Sequence, residues 1–388
     1  MTRILFVEDA PSLGGSVFSL LQLVRGLERE RYEPLVLFRH DLAARKDFES
    51  AGVPTAAWSS ITGRSQKAPS SEPLRPLAPF KRSGFYRFFL GSRILAREQY
   101  ADSRWLESWM RREGFSLLHA NNSISANLAA IMAAGRAGIP VVSHQRGFFR
   151  VSWLHTLVAR RVDRLLCVSD AVREHYIRQG LPRNKLQTVY NGIDTDFLTP
   201  RPKGRREEIL VGWVGRVEPW KGGMTFINAA RLLASERRRL RFLMVGTGTE
   251  EARIRSIVAA SPLLKDAVTL VGYRSDSRDL LADCDVFANT SIEPEPLSRS
   301  ALEALAFGLP IAASNCGGNP EIVVDGENGF LFEPGNHAGL AEIIRRLADD
   351  AGLRSKLGAE SRRRAETIFS AERYRREVES VYAAIMST

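Results

Sequence analysis

The stretch Ile209-Leu210-Val211-Gly212-Trp213-Val214-Gly215-Arg216-Val217-Glu218-Pro219-Trp220-Lys221-Gly222-Gly223 decides the fold. Its first six residues form an apolar run of strand length, which stops at a loop bounded by glycines. Outward from it, short apolar runs alternate with amphipathic segments along the whole chain. Upstream the runs are Ile4 to Val7, Pro34 to Phe38, Leu117 to Ala120, Val141 to Ser143 and Leu165 to Val168. Onward they are Ile209 to Val214, Arg241 to Val245, Val268 to Val271, Val286 to Ala288 and Ile311 to Ala313. This alternation is the pattern of parallel sheets covered by helices. Two similar series predict an α/β protein of two Rossmann-like, doubly wound domains.

A chain of 388 residues is long for one core, which also favours two domains. The boundary is expected between about Asn191 and Arg206, where Asn191-Gly192, Pro200, Pro202 and Gly204 punctuate a charged stretch. That gives a first domain over 1–190, a linker over 191–206, a second domain over 207–365 and a terminal segment over 366–388. In the last, Tyr374, Val378, Val381, Tyr382 and Ile385 recur at helical spacing, so the helix must bury a face, and it is expected to return to the first domain. Residues 58–100 break the alternation with Pro73, Pro76 and Pro79 and read as an irregular insertion. They carry eight Lys or Arg against Glu72 and Glu98, interleaved with Phe80, Phe85, Tyr86, Phe88 and Phe89. Such a stretch suits an anionic bilayer surface or an amphipathic acceptor, and equally a loop folded over its own domain.

Hydrophobic residues at 44% and charged residues at 26% exclude a disordered or fibrous class. The net charge of +11 fits phosphorylated small molecules, anionic lipid or nucleic acid. Basic clusters such as Arg237 to Arg239 and Arg362 to Arg364 have acidic neighbours and read as solvated helix faces. No nucleic-acid module accompanies the charge, so nucleic acid is not expected as a partner. Cys167, Cys284 and Cys316 show no CxxC spacing, which supports neither a disulfide framework nor a zinc ribbon and points to a cytoplasmic protein. The apolar run Ile4 to Val7 is too short for a signal peptide, and no stretch approaches the ~20 apolar residues of a membrane span. A membrane role is therefore expected to be peripheral.

Four segments carry candidate chemistry. Gly14-Gly15-Ser16 precedes an amphipathic helix, where Gly15 would let backbone N–H groups approach an anion; a tight turn without a ligand would read the same way. Arg216 and Lys221 follow a strand's carboxyl end, where open α/β sheets bind ligands, and two cations there can neutralise a diphosphate. Gly246-Thr247-Gly248 has Glu251 where a dinucleotide fingerprint would have its third glycine, which disfavours a nicotinamide dehydrogenase. Finally, Glu293-Pro294-Glu295-Pro296-Leu297-Ser298-Arg299-Ser300-Ala301-Leu302-Glu303 follows Val286 to Ala288, so Glu295 falls in a loop and Glu303 on a helix closed by Gly308 and Pro310. Both carboxylates would line one crevice, although Ser300 to Glu303 also matches a capping box.

At Glu295 and Glu303 the chain resembles retaining glycosyltransferase family 4 of the GT-B fold, whose signature is two glutamates separated by seven residues. Glu295-Pro296-Leu297-Ser298-Arg299 is similar to its EPFGR variant, and Val189-Tyr190-Asn191-Gly192-Ile193-Asp194 to its PNGVD stretch. Gly215-Arg216 with Lys221-Gly222 resembles its GR…KG pair, and Cys316 to Val323 and Asp325 to Phe330 its GGxxEIV and DGxNGxL runs. The resemblance covers nearly the whole chain. It implies two domains facing each other across a cleft, a nucleotide-diphosphate-sugar donor (a UDP-sugar favoured over a GDP-sugar), a glycan, lipid-linked or small-molecule acceptor, and neither cofactor nor metal.

By position, the resemblance implies that Glu303 accepts from the ribose hydroxyls and that Glu295, with the backbone at Leu297 and Ser298, holds the sugar hydroxyls. Arg216 and Lys221 would carry the diphosphate, Gly15 would lie under it, and Tyr273 would stand where the base is held. His144 matches a histidine that approaches the transferred sugar. Retention without an evident nucleophile implies front-face attack, with the leaving phosphate taking the acceptor's proton. Leu297-Ser298 in place of Phe-Gly, and Gln145-Arg146-Gly147 in place of a simpler His-Gly, depart from the pattern. With those departures go two other readings: a GT-B hydrolase, phosphorylase or epimerase, and a nonenzymatic sugar-nucleotide-binding protein at a membrane surface.

Overall fold

The computed structural model describes residues 1–10, 14–40, 43–62, 84–202, 208–236 and 239–387, with 84–98 as backbone. The chain forms two compact units. One comprises Met1–Val168, Arg173–Val189 and Arg375–Thr388, the other Ser169–Val172 and Tyr190–Tyr374.

The first unit holds a parallel sheet of β1 (Thr2–Glu8), β2 (Tyr32–Phe38), β3 (Thr55–Ala57), β4 (Leu117–Ala120), β5 (Val141–Gln145), β6 (Arg164–Cys167) and β7 (Leu186–Thr188). Their order is β3-β2-β1-β4-β5-β6-β7. The second unit holds β8 (Ile209–Val214), β9 (Leu240–Val245), β10 (Val268–Gly272), β11 (Val286–Asn289), β12 (Ile311–Ser314) and β13 (Gly329–Phe332). These are also parallel, in the order β10-β9-β8-β11-β12-β13. Every apolar run named from the sequence is a strand. In both sheets the strand order reverses once, between β1 and β4 and between β8 and β11. At such a switch point the following loops diverge and leave a crevice outside the carboxyl ends of the strands.

Helices cover both faces, which is why Ile4, Leu5, Phe6, Val211, Phe242 and Ala312 are buried. In the second unit helix Gly223–Ser235 packs Phe226, Ile227 and Leu233 into one core with Leu340, Ile344 and Leu347 of helix His337–Asp349. Each such side chain contributes about 1.5–3 kcal/mol on burial. Asn336 caps the latter helix by accepting from the Gly339 amide at 2.9 Å.

The last helix, Ala371–Met386, buries Val378, Val381 and Tyr382 in the first unit. There the Tyr382 hydroxyl meets His119 Nδ1 at 2.6 Å, and the Tyr382 ring packs edge-on against Tyr32. Glu379 accepts from the Glu28 amide at 3.0 Å.

One expectation is corrected. Residues 84–100 are not irregular: Gly84–Glu113 is a single helix of 30 residues. No proline follows Pro79 until Pro140, and Leu, Ala, Arg, Glu and Gln dominate the stretch, all strong helix formers. Pro73, Pro76, Pro79, Glu72 and Phe80 lie outside the described residues. Among the described residues no helix is long and apolar enough to cross a membrane.

Candidate active site

In the second unit the loops after β8 and β11 meet at the switch point, and the sequence of each explains how. Trp213, the penultimate residue of β8, donates its indole N–H to Thr290 Oγ1 at 2.9 Å. The Thr290 hydroxyl donates in turn to the carbonyls of Lys221 and Gly222, at 3.0 and 2.9 Å. The Ile292 amide donates to the Trp220 carbonyl at 2.8 Å. The loops approach so closely that a Cβ on Gly222 would lie 1.9 Å from the Thr290 carbonyl oxygen, and Gly222 has φ +66°. Only glycine meets both demands without strain.

This splice delivers Lys221 to Glu295. The ammonium donates to Glu295 Oε1, and the Ser291 hydroxyl donates to Oε2 at 2.7 Å. Burial pushes the Glu295 carboxyl up, but the Lys221 charge and hydrogen bonds from Lys221, Ser291 and Asn289 outweigh it and hold the group below its ordinary value. It is an anion at neutral pH. The Lys221 ammonium and the exposed Arg216 guanidinium both lie over the Trp220 ring, at 4.6 and 5.3 Å from its centroid. The ring's negative face eases their proximity. Arg216 forms no ion pair with a described residue, so its charge is available to an anion.

Glu303 is buried on helix Arg299–Ala306, and its Oε1 is met by Arg278 at 3.0 Å and Arg299 at 3.3 Å. The capping-box reading of Ser300 to Glu303 is overturned. The N-cap is Ser298, whose hydroxyl accepts from the Ala301 amide, so Glu303 lies a full turn inside the helix and satisfies no terminal N–H. Ser298 is buried in extended backbone, with Leu297 buried beside it. Tyr273, after β10, is 72% exposed. Gly246 belongs to packing: its φ is +139°, and a Cβ there would lie 1.8 Å from the Gly215 carbonyl. That supplies a structural reason for the Gly-Thr-Gly run.

In the first unit Gly15 opens helix Gly15–Gly26, and nothing lies within 4 Å of where its Cβ would be. At the first unit's own switch point, between β1 and β4, stands a group the sequence did not single out. Glu8, ending β1, is buried and accepts from Asn121, Asn122 and the Ala10 amide. Burial raises its pKa against the pull of those hydrogen bonds and the Arg146 charge. Asn121 Oδ1 accepts from Arg146 Nε at 2.6 Å, and Asn122 is held at φ +87°, unusual for a residue with a side chain. His144 is wholly buried, its ring 5.6 Å from His119 and its Nδ1 3.4 Å from an Arg146 nitrogen. Burial, then the charges of Arg146 and His119, depress its pKa well below the usual value, so it is neutral near pH 7. The half-buried Arg146, rather than His144, reaches the edge of this cluster.

The family model described as Glycosyltransferase Family 4 matches residues 13–197, and that described as Glycosyl transferases group 1 matches residues 196–364. The chain belongs to glycosyltransferase family 4. Among members and relatives, spore coat protein SA of Bacillus subtilis is 32% identical over 247 residues, covering 57% of this chain and 65% of the relative. An Escherichia coli UDP-Gal:alpha-D-GlcNAc-diphosphoundecaprenol alpha-1,3-galactosyltransferase is 28% identical over 269 residues, 63% of this chain and 69% of the relative. The matched stretch of this family 4 chain thus spans about two thirds of each. Anabaena HepE, solved in complex with UDP, superposes with a TM-score of 0.76 at 22% identity, covering 99% of this chain and 100% of that one. Family 4 and the GT-B fold agree with the two parallel-sheet units.

Proposed function

We propose that the chain is a retaining hexosyltransferase. It moves a sugar from a nucleotide-diphosphate donor, a UDP-sugar by preference over a GDP-sugar, to a glycan, lipid-linked or small-molecule acceptor without a required metal. The observation that carries this reading is the Lys221–Glu295 pair at the β8–β11 switch point, flanked by Arg216. A diphosphate leaving group develops charge as the glycosidic bond breaks, and two fixed cations stabilise it without reorganising. Glu295, an anion held by Ser291 and Lys221, accepts from sugar hydroxyls, and Glu303, steadied by Arg278 and Arg299, accepts from the ribose. Gly15 leaves room for phosphate oxygens at the start of its helix, and Tyr273 offers an exposed ring to the base.

His144, neutral and buried near the carboxyl end of β5, stands on the side of the transferred sugar, and the leaving phosphate takes the acceptor's proton. The relatives favour UDP as donor: the galactosyltransferase is named for UDP-Gal, and HepE was also solved with UDP-glucose. The protein works in the cytoplasm, peripheral to an anionic membrane face. Incubation with UDP-, GDP- and ADP-sugars, scored by thermal stabilisation and then by transfer to an acceptor panel with and without EDTA, tests the reading. Stabilisation by no nucleotide sugar would sink it. Release of free sugar, sugar phosphate or epimer from donor alone would replace transfer with hydrolysis, phosphorolysis or epimerisation.

A further inference from the structure

The segment from Arg146 to Val162 contains Arg146, Arg150, Arg160 and Arg161 and not one carboxylate. Within it, helix Trp153–Ala159 turns its large apolar side chains outward: Trp153 is 78% exposed, Leu157 52% and Leu154 37%, with Phe149 at 45% just before the helix. At 100° per residue Trp153, Leu154 and Leu157 share an arc of about 100°. Val158 and Ala159 form the inward face. Arg160 and Arg161, directly after the helix, are exposed.

This display is fixed in place. The Phe149 carbonyl accepts from Gln179 Nε2 at 2.9 Å, and the Val151 amide donates to Gln179 Oε1 at 2.8 Å. The Gly147 carbonyl accepts from the Tyr176 hydroxyl at 2.9 Å. At the other end Lys185 donates to the carbonyls of Arg160 and Val162 at 2.6 and 2.8 Å. The ammonium thereby adds a further positive charge beside the patch. Glu174, on the adjoining helix, is engaged by Arg173 and Arg183.

We infer that Phe149, Trp153, Leu154 and Leu157, with Arg150, Arg160 and Arg161, form a docking surface for an anionic lipid bilayer. The inference rests on the membrane-surface part of the proposed function but assigns it to residues outside the 58–100 stretch. Trp and Phe favour the headgroup level, where an apolar body meets a polar boundary, and guanidinium groups take lipid phosphates beside them. Charge selects this occupant over a second copy of the chain. A two-fold interface would set the patch against itself, opposing arginines to arginines, while the neighbouring Asp163 is tied to the Val141 amide and Glu174 to Arg173 and Arg183.

The test uses the full chain and sedimentable vesicles of phosphatidylcholine alone or mixed with phosphatidylglycerol. Binding to the mixed vesicles is expected, weakening as salt rises, with Trp fluorescence shifting to the blue. The W153S/L157S variant should partition about tenfold or more less well. Trp105→Ser, at another exposed tryptophan, should leave binding unchanged. Transfer to a soluble acceptor and donor binding should survive in W153S/L157S, which separates this inference from the transferase reading. Wild-type protein that ignores mixed vesicles at low salt would overturn both the patch and the membrane-surface reading. Equal binding by W153S/L157S would overturn the patch alone. A dimer that W153S/L157S converts to monomer would give the surface to a second copy instead.

Discussion

Lys221 and Glu295, 74 positions apart, form an ion pair with both side chains largely withdrawn from solvent. Their worth is asymmetric. Removing the cation strands a buried carboxylate, whereas removing both charges does not. Lys221→Met should cost about 3–5 kcal/mol in chemical denaturation, and the K221M/E295Q double variant should recover much of that loss. Both should lower transfer by about a hundredfold or more, because the phosphate-side cation is gone in each. Donor transfer at the wild-type rate by either variant would remove Lys221 from the proposed machinery.

The splice between the two loops makes a sharper prediction. Gly222→Ala places a methyl against the Thr290 carbonyl at positive φ, so the β8 and β11 loops must separate. The expected cost is on the order of 2–4 kcal/mol, with loss of donor binding by calorimetry. Thr290→Val, which removes only the hydroxyl linking Trp213 to Lys221 and Gly222, should cost about 1–3 kcal/mol. Unaltered donor affinity in both variants would show that the loops need not be joined.

Acid should unfold the first unit through its histidines. Burial, with the Arg146 charge, lowers the His119 pKa to about 3, and His144 is depressed in the same direction. Below the unfolded value near 6.5 the unfolded chain therefore binds protons that the native chain refuses, and stability falls as pH falls. For His119 alone the loss from neutrality to pH 5 is about 2 kcal/mol. Glu8, raised by burial, works with the opposite sign: it holds a proton that the unfolded carboxylate has already lost. Denaturant midpoints between pH 7 and 5 should drop steeply for wild type and less steeply for His119→Gln; equal slopes would contradict the burial argument.

The strained Asn122 separates backbone from side chain. Asn122→Gly removes the cost of φ +87° but also the hydrogen bond to Glu8, while Asn122→Ala keeps the cost and loses the bond. Alanine should therefore be less stable than glycine by about 1 kcal/mol. Near-equal melting temperatures would mean that the turn relaxes.

Ser298 offers a milder case. As N-cap, Ser298→Gly should cost a few tenths of a kcal/mol and Ser298→Ala about 1 kcal/mol. If its Cβ also shapes the sugar pocket, Ser298→Gly should change the ratio of kcat/KM values between two donor sugars; a constant ratio would confine the residue to capping.

The central strands were legible because Ile4 to Val7 or Val286 to Ala288 are apolar without interruption. The strands that escaped notice, Thr55–Ala57, Leu186–Thr188 and Gly329–Phe332, sit at sheet edges. An edge strand is short and needs little apolar surface, so Thr-Ala-Ala and Leu-Gln-Thr carry almost no signal. At the site, Arg216, Lys221, Glu295 and Glu303 stood out by charge and spacing. Arg278, Thr290 and Glu8 did not, because each acts through contacts with residues distant in sequence, and Ser291, four residues before Glu295, carries no charge to mark it. The capping box went astray by two residues for a simple reason: Ser298 and Ser300 offer the same hydroxyl, and only backbone geometry tells which one meets a free amide.

The first unit closes with Arg375–Thr388, after the whole second unit has intervened. Tyr382 and Val378 are therefore the last parts of that core to leave the ribosome. Until they arrive, His119 and Tyr32 lack their cover, and the amino-terminal half must wait as an incomplete core while the carboxyl-terminal half folds. The order of completion is thus the reverse of the order of synthesis. A nonsense mutation between the codons of Tyr374 and Val378 would damage the amino-terminal domain before it touched the site at Lys221 and Glu295.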